Sequence, residues 1–263
     1  MFRIYIILLS IIIALFARHF NLKLRRLKRN IPILLNDYSV YYRNLTPKEQ
    51  KHFERRVLTF ISLKHFYRFD QSKATDEMKI LIAAAAVQLT FGFSEGCEYE
   101  VFRKIAISDK EYVSRQTKRV HHGEANPGKS LIAFSWQRFM EGVKYPHDSI
   151  NLGLHEFAHA LFINNISGYC NRHFCKTIGE WHAVVAQLTQ EQKIYNFFRS
   201  YAFEDRMEFF AVSIEYFFET PKAFHTSLPQ LYTVICRLLN QNPMLPNNGI
   251  VRKSRLNVLK NEY

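Results

Sequence analysis

The stretch Leu154-His155-Glu156-Phe157-Ala158-His159 holds two imidazoles four residues apart with a carboxylate between them. On a helix this spacing puts His155 and His159 one turn apart on the same face, where both can reach one metal ion. Glu156 then points toward the open coordination position, the layout of a zinc hydrolase that activates water. Leu152, Leu154, Phe157, Ala158, Leu161 and Phe162 make the segment apolar on several sides, as befits a helix inside a core. Asp148 or Ser149 is the expected N-cap. The plainer alternative is a buried helix whose histidines are only hydrogen-bonded and whose Glu156 meets a basic partner. Burying three such groups in so apolar a helix is costly without compensation, and a metal ion supplies it.

A catalytic zinc keeps three protein ligands and leaves a fourth position for water. The segment from Tyr201 to Phe218 offers Glu208 and Glu215, two helical turns apart on one face among aromatic residues, with Tyr201 seven residues before Glu208. Carboxylates on the apolar face of a helix are unusual. Asp205 followed by Glu208 also fits a capping box, in which Glu208 reaches back to the first amides and Glu215 becomes the ligand. If Glu208 is the ligand, Glu215 is placed to hold the hydrogen on the far nitrogen of a histidine.

The elements that must position these groups suggest an α+β fold, a small mixed sheet followed by a mainly helical C-terminal half. Thr46-Pro47 opens a helix with Phe53, Val57, Phe60 and Ile61 at helical spacing. Thr75-Asp76-Glu77 opens another, Met78 to about Leu89, whose alanines Ala83 to Ala86 permit a close neighbour. Strands are expected over 100–107 and 130–136, separated by breaks at His121-His122-Gly123 and Asn126-Pro127-Gly128. His121 and His122 read as a solvated loop. The second strand is a candidate edge for an extended peptide substrate, with Phe134 and Trp136 shaping pockets or simply packing the core. Helical segments follow at 179–188, near 191–200, at 207–220 and at 228–239.

The 263 residues carry a formal net charge of +13, 48% hydrophobic and 15% aromatic residues, which excludes a disordered chain. No zinc-finger spacing, helix-turn-helix signature or aromatic-basic platform accompanies the charge, so no nucleic-acid partner is expected. Ile4 to Ala17 is an almost unbroken apolar run, followed by Arg18, Lys23, Arg25, Arg26, Lys28 and Arg29. That order suggests an uncleaved membrane anchor over residues 1–30, with the domain 31–263 on the cytoplasmic side. A cleaved signal, a buried N-terminal helix and a soluble cytoplasmic protein are the alternatives. Residues 31–42 read as an extended stretch after a basic linker. Cys170 and Cys175 could form a second metal site or a redox pair, but all four cysteines read as ordinary reduced thiols.

Three patches resemble one known family: Thr75-Asp76-Glu77-Met78-Lys79 before the alanine-rich helix, Leu154 to Leu161, and Glu208-Phe-Phe-Ala continuing to Glu215-Tyr-Phe-Phe-Glu-Thr-Pro221. In order and content they are similar to the Mlc titration factor A family of zinc-dependent peptidases, related to the catalytic domain of anthrax lethal factor. The resemblance spans most of residues 45–245. It implies a zincin-like domain with Zn2+ held by His155, His159 and Glu208, Glu156 as general base, and Tyr201 helping the oxyanion. The implied activity is hydrolysis of a peptide or protein substrate, an aminopeptidase being one form of it. The family's association with capture of a transcriptional repressor implies an alternative: a regulatory binding protein with a mainly structural zinc site. Such a site would recruit a fourth ligand, for which Cys170, His173 and Cys175 are available. One departure is Leu161-Phe162, where the family usually carries Leu-Asp.

Overall fold

The computed structural model describes residues 2–94, 96–113, 120–169 and 171–249. Helix α1 (Phe2–Tyr38) and the short α2 (Val40–Arg43) precede α3 (Pro47–Leu63), strand β1 (His65–Arg68) and α4 (Asp76–Thr90). Strands β2 (Lys104–Ser108), β3 (Tyr112–Val113), β4 (Val120–His121), β5 (Gly123–Asn126) and β6 (Leu131–Ser135) follow. The remainder is helical: α5 (Trp136–Lys144), α6 (Leu152–Ile166), α7 (Arg172–Gln190), α8 (Arg206–Glu219), α9 (Pro221–Ser227) and α10 (Pro229–Leu239). This is the expected mixed α+β architecture, mostly helical with a small four-stranded sheet and a two-stranded ribbon.

The main sheet has the order β1-β2-β6-β5, with β1, β2 and β6 parallel and β5 antiparallel to β6. Alternation along the strands sorts its faces. Ile105, Ile107, Ile132 and Phe134 join the large core beneath the helices, while Ala106, Leu131 and Ala133 pack with Tyr67 and Tyr112 on the other side. β6 therefore lies inside the sheet and cannot be the edge expected of it; β1 and β5 are the edge strands. Phe134 is core, and Trp136 opens α5 by stacking on Phe139. The His121-His122-Gly123 segment is not a free loop either, since β4 pairs with β3 and Gly123 starts β5.

Helix α3 starts with the full capping box Thr46/Glu49, and α4 with the N-cap Thr75. Helix α6 crosses α4 closely: a Cβ on Gly153 would lie 3.1 Å from the Ala85 Cβ and 2.7 Å from the Phe139 ring. Phe157 anchors α6, its ring packing against Tyr99, Phe134 and Phe60 at centroid distances of 5.3, 5.6 and 5.7 Å. Since Phe157 points into this cluster, the histidines on either side of it in sequence face the other way.

The N-terminal region differs from expectation. In place of a linker and an extended stretch, α1 continues through the basic residues and past Pro32 to Tyr38. Leu27, Ile31, Leu34 and Leu35 recur at helical spacing and join the core, which is what holds this part of the chain helical. Among the described residues no helix is long and apolar enough to cross a membrane, and the expected anchor finds no support. The side chains at 4, 6–8, 10–14 and 16–17 of the apolar run lie outside the description. Cys97 and Cys236 are free thiols but Cys175 is disulfide-bonded, which corrects the expectation of four ordinary thiols; Cys170 lies outside the described residues.

Candidate metal centre

Helix α6 is capped by Asn151, not by Asp148 or Ser149: the Asn151 side chain accepts from the Leu154 amide at 3.0 Å. Asp148 instead accepts from the Ile150 amide at 2.9 Å, and Ser149 adopts a left-handed conformation with φ of 63°. Asn151 also ties α6 to α8. Its Nδ2 donates to Glu219 Oε1 at 2.8 Å, and its backbone amide donates to Glu215 Oε2 at 2.7 Å.

Helix α8 is capped by Asp205, which accepts from the amides of Met207 at 2.7 Å and Glu208 at 2.8 Å. The cap thus uses the Asp205 carboxylate and leaves that of Glu208 free. Glu208 Oε2 lies 3.1 Å from His155 Nε2 and 3.3 Å from His159 Nε2, and the two Nε2 atoms are 3.0 Å apart. A circle of about 1.8 Å radius passes through these three atoms, so a point at the usual zinc-ligand distance of about 2.0–2.2 Å from all three exists just off their plane. Glu208 Oε2 is buried without a well-directed hydrogen bond, as is fitting for a donor set shaped for a cation. Among the described residues these three form the one group of histidine, cysteine and carboxylate atoms close enough to share a metal. His173, one of the suspected fourth ligands, is bonded elsewhere, 2.6 Å from the Arg237 carbonyl.

Glu215 stands behind the cluster, only 1% exposed. Its Oε1 accepts from His155 Nδ1 at 2.7 Å and from the Arg199 guanidinium at 2.5 Å. Arg199 also donates to the Ser149 carbonyl. Burial disfavours a charged His155, but Glu208 and Glu215 outweigh it and hold its pKa up to about 10. Burial alone would raise the Glu208 pKa; the imidazoles of His155 and His159 close beside it hold it well below the carboxylate range. Glu156 is raised chiefly by burial, opposed by the two histidines.

Gly123 on β5 makes room for Glu156. A Cβ at Gly123 would sit 2.4 Å from Glu156 Oε1, so the bare backbone lets the edge strand pass this carboxylate without pushing it aside. Tyr201, in the turn Ser200–Phe203, packs its ring 5.9 Å from that of His155 and is 41% exposed. Its hydroxyl is kept protonated by burial and by Glu208 beside it. His155, Glu156, Gly123, Tyr201, Arg199 and Glu215 line a cleft of about 820 Å3 whose walls also include His122, Tyr145 and Glu204.

Sequence reasoning missed Arg199, Asn151 and Gly123. No local pattern marks Arg199, whereas Asn151 stands as an N-cap residue directly before the apolar helix and Gly123 as a chain breaker beside two histidines. Phe162 packs against Phe210, His182 and Trp181, so an aromatic cluster with α7 and α8 occupies the place of the family's aspartate.

The family model of the glucose-regulated metallo-peptidase M90 matches residues 16–239, most of the chain and all of the centre just described. The chain belongs to the M90 metallopeptidase family. Two relatives are similar to the chain. An uncharacterised protein of Synechocystis sp. is 23% identical over 230 residues, covering 81% of this chain and 84% of that protein. Mlc titration factor A of Escherichia fergusonii is 34% identical over 132 residues, covering 44% of this chain and 49% of that protein. The resemblance read from the M90 chain's own motifs thus holds for the family; the wider likeness to lethal factor has no counterpart in these matches.

Proposed function

We propose that this M90 protein is a zinc-dependent peptidase with a zincin-like centre. His155, His159 and Glu208 hold the metal, Glu156 is the general base, and Tyr201 supports the oxyanion. The observation that carries the reading is the convergence of two Nε2 atoms and one carboxylate oxygen, with His155 and the neighbouring Glu156 lining an open cleft. A bound zinc would act there as a Lewis acid, polarising the scissile carbonyl and acidifying water. Glu156, its proton affinity raised by burial, takes a proton from the attacking water and passes it to the leaving amine. Tyr201 donates its hydroxyl hydrogen to the developing oxyanion. Glu215 fixes His155 in the tautomer that carries hydrogen on Nδ1 and presents Nε2 to the metal. The outer edge of β5, beside Glu156, is where an extended peptide adds as another strand.

The test combines metal analysis of the purified protein with a peptide-library cleavage assay on wild type and Glu156→Gln. Wild type should carry one zinc and cleave. The variant should keep zinc and fold while losing at least about a hundredfold in kcat, the scale of a lost general base. Full activity in Glu156→Gln removes the general-base assignment; a metal-free wild type removes the whole reading.

A second reading rests on the 34% match over 132 residues, to a protein named for titrating Mlc. It makes this chain a binder of a regulatory protein, and predicts that Glu156→Gln keeps its biological effect intact.

A further inference from the structure

On another part of the molecule α1, the end of α3, β1 and the start of α4 enclose a recess of about 360 Å3. Lys23, Lys73 and Lys79 line it together with His65, and Leu27, Ile61 and Phe66 supply its apolar wall. Lys64 also lines it, but its ammonium is consumed by the carbonyls of Glu98, Tyr99 and Phe102. The lone acid in the lining is Asp76, and Arg26 already engages it at 2.8 Å. None of Lys23, Lys73 and Lys79 has a carboxylate within ion-pair distance among the described residues. Lys79 is half-buried; burial and then the nearby Lys23 disfavour its charge, with Arg26 and Lys73 adding to this against the pull of Asp76.

A convergence of like charges around a concavity is unfavourable as it stands, and a bound anion relieves it. We infer that this recess is a binding site for a phosphate monoester, with Lys23, Lys73 and Lys79 as its ligands. The three ammonium groups supply point charges and rotatable donors to the phosphate oxygens, and Leu27, Ile61 and Phe66 take up the apolar part of what carries the phosphate. The phosphate can come from a soluble phosphorylated compound or from a lipid headgroup, since both present the same dianion. The site shares no residue with the metal centre and does not depend on peptidase activity.

The test uses the full-length protein and two probes: inorganic phosphate in a thermal-shift titration, and vesicles of phosphatidic acid in phosphatidylcholine in a sedimentation assay. Controls are chloride at matched ionic strength and pure phosphatidylcholine vesicles. Wild type should bind at least one probe above its control. Lys23→Ala/Lys73→Ala/Lys79→Ala should bind it about tenfold more weakly or worse, the loss of roughly one charge-assisted contact or more. Lys79→Arg, which keeps the charge, should bind as wild type does. Binding of phosphate with no vesicle preference identifies a soluble ligand, and binding of vesicles alone identifies a headgroup. The inference is overturned if neither probe exceeds its control, or if the alanine variant binds like wild type. Should the triple variant not fold, Lys79→Gln alone serves, with circular dichroism as the check.

Discussion

Glu215 is the side chain on which the centre's geometry most depends, and replacing it separates structural from metal-binding consequences. Its two oxygens serve three donors: His155 Nδ1, the Arg199 guanidinium and the Asn151 amide. Glu215→Ala removes an acceptor that is 1% exposed and strands those donors in the interior. Breaking a buried ion pair by removing one partner costs about 3–5 kcal/mol. For a domain of this size that lowers the melting midpoint by about 10 °C. Glu215→Gln retains the shape and one acceptor oxygen but turns an amide hydrogen toward a donor, so about 1.5–3 kcal/mol is expected. The assay is denaturant unfolding of chelator-treated protein, which reads the structural term with no metal present. Competition for zinc with a chromophoric chelator then reads the rest: loss of the bond to His155 Nδ1 should weaken binding by about 10–100-fold. If Glu215→Ala left the metal-free stability within about 0.5 kcal/mol of wild type, the network would not be carrying α6 onto α8, and the reasoning would fail.

Three further outcomes follow from particular contacts. Gly123→Ala should cost about 1–3 kcal/mol and reduce turnover with zinc retained, because the new methyl displaces the Glu156 carboxylate; an unchanged kcat refutes that role. Phe157→Ala, in the cluster with Tyr99, Phe134 and Phe60, should cost about 3–5 kcal/mol by equilibrium unfolding. Glu219 has its pKa raised by burial from 4.5 to about 8, so the folded state keeps a proton that the unfolded chain gives up. Stability should fall as pH rises across that window and level off above it. Glu219→Gln should make the slope shallower and be more stable than wild type above pH 8 by on the order of 3 kcal/mol. Equal pH dependence of unfolding in the two proteins would refute the assignment.

Much of the centre was legible in the chain because it is local. Residues four apart on a helix share a face whatever surrounds them, so His155 and His159 could be paired by spacing alone. The helix starts at Thr46 and Thr75 were equally visible, since a capping side chain and the amides it bonds lie within three residues. Spacing could not choose between Glu208 and Glu215, which are two turns apart on one face. The crossing of α6 and α8 chose: it turned Glu208 toward both Nε2 atoms and placed Glu215 on the far nitrogen of His155, while Asp205 alone met the cap. The long N-terminal helix escaped for a related reason. Residues 31–42 read locally as an extended stretch after a basic linker, and the burial of Ile31 and Leu35 in the core makes this part helical instead. Strand order is likewise non-local. A run such as Leu131–Ser135 reads the same at an edge or inside a sheet, and the pairing of β6 with both β2 and β5 made it interior. What the sequence determined by itself was which groups lie on which face of each element; which faces meet was decided by the tertiary packing, because that depends on burial summed over the whole core.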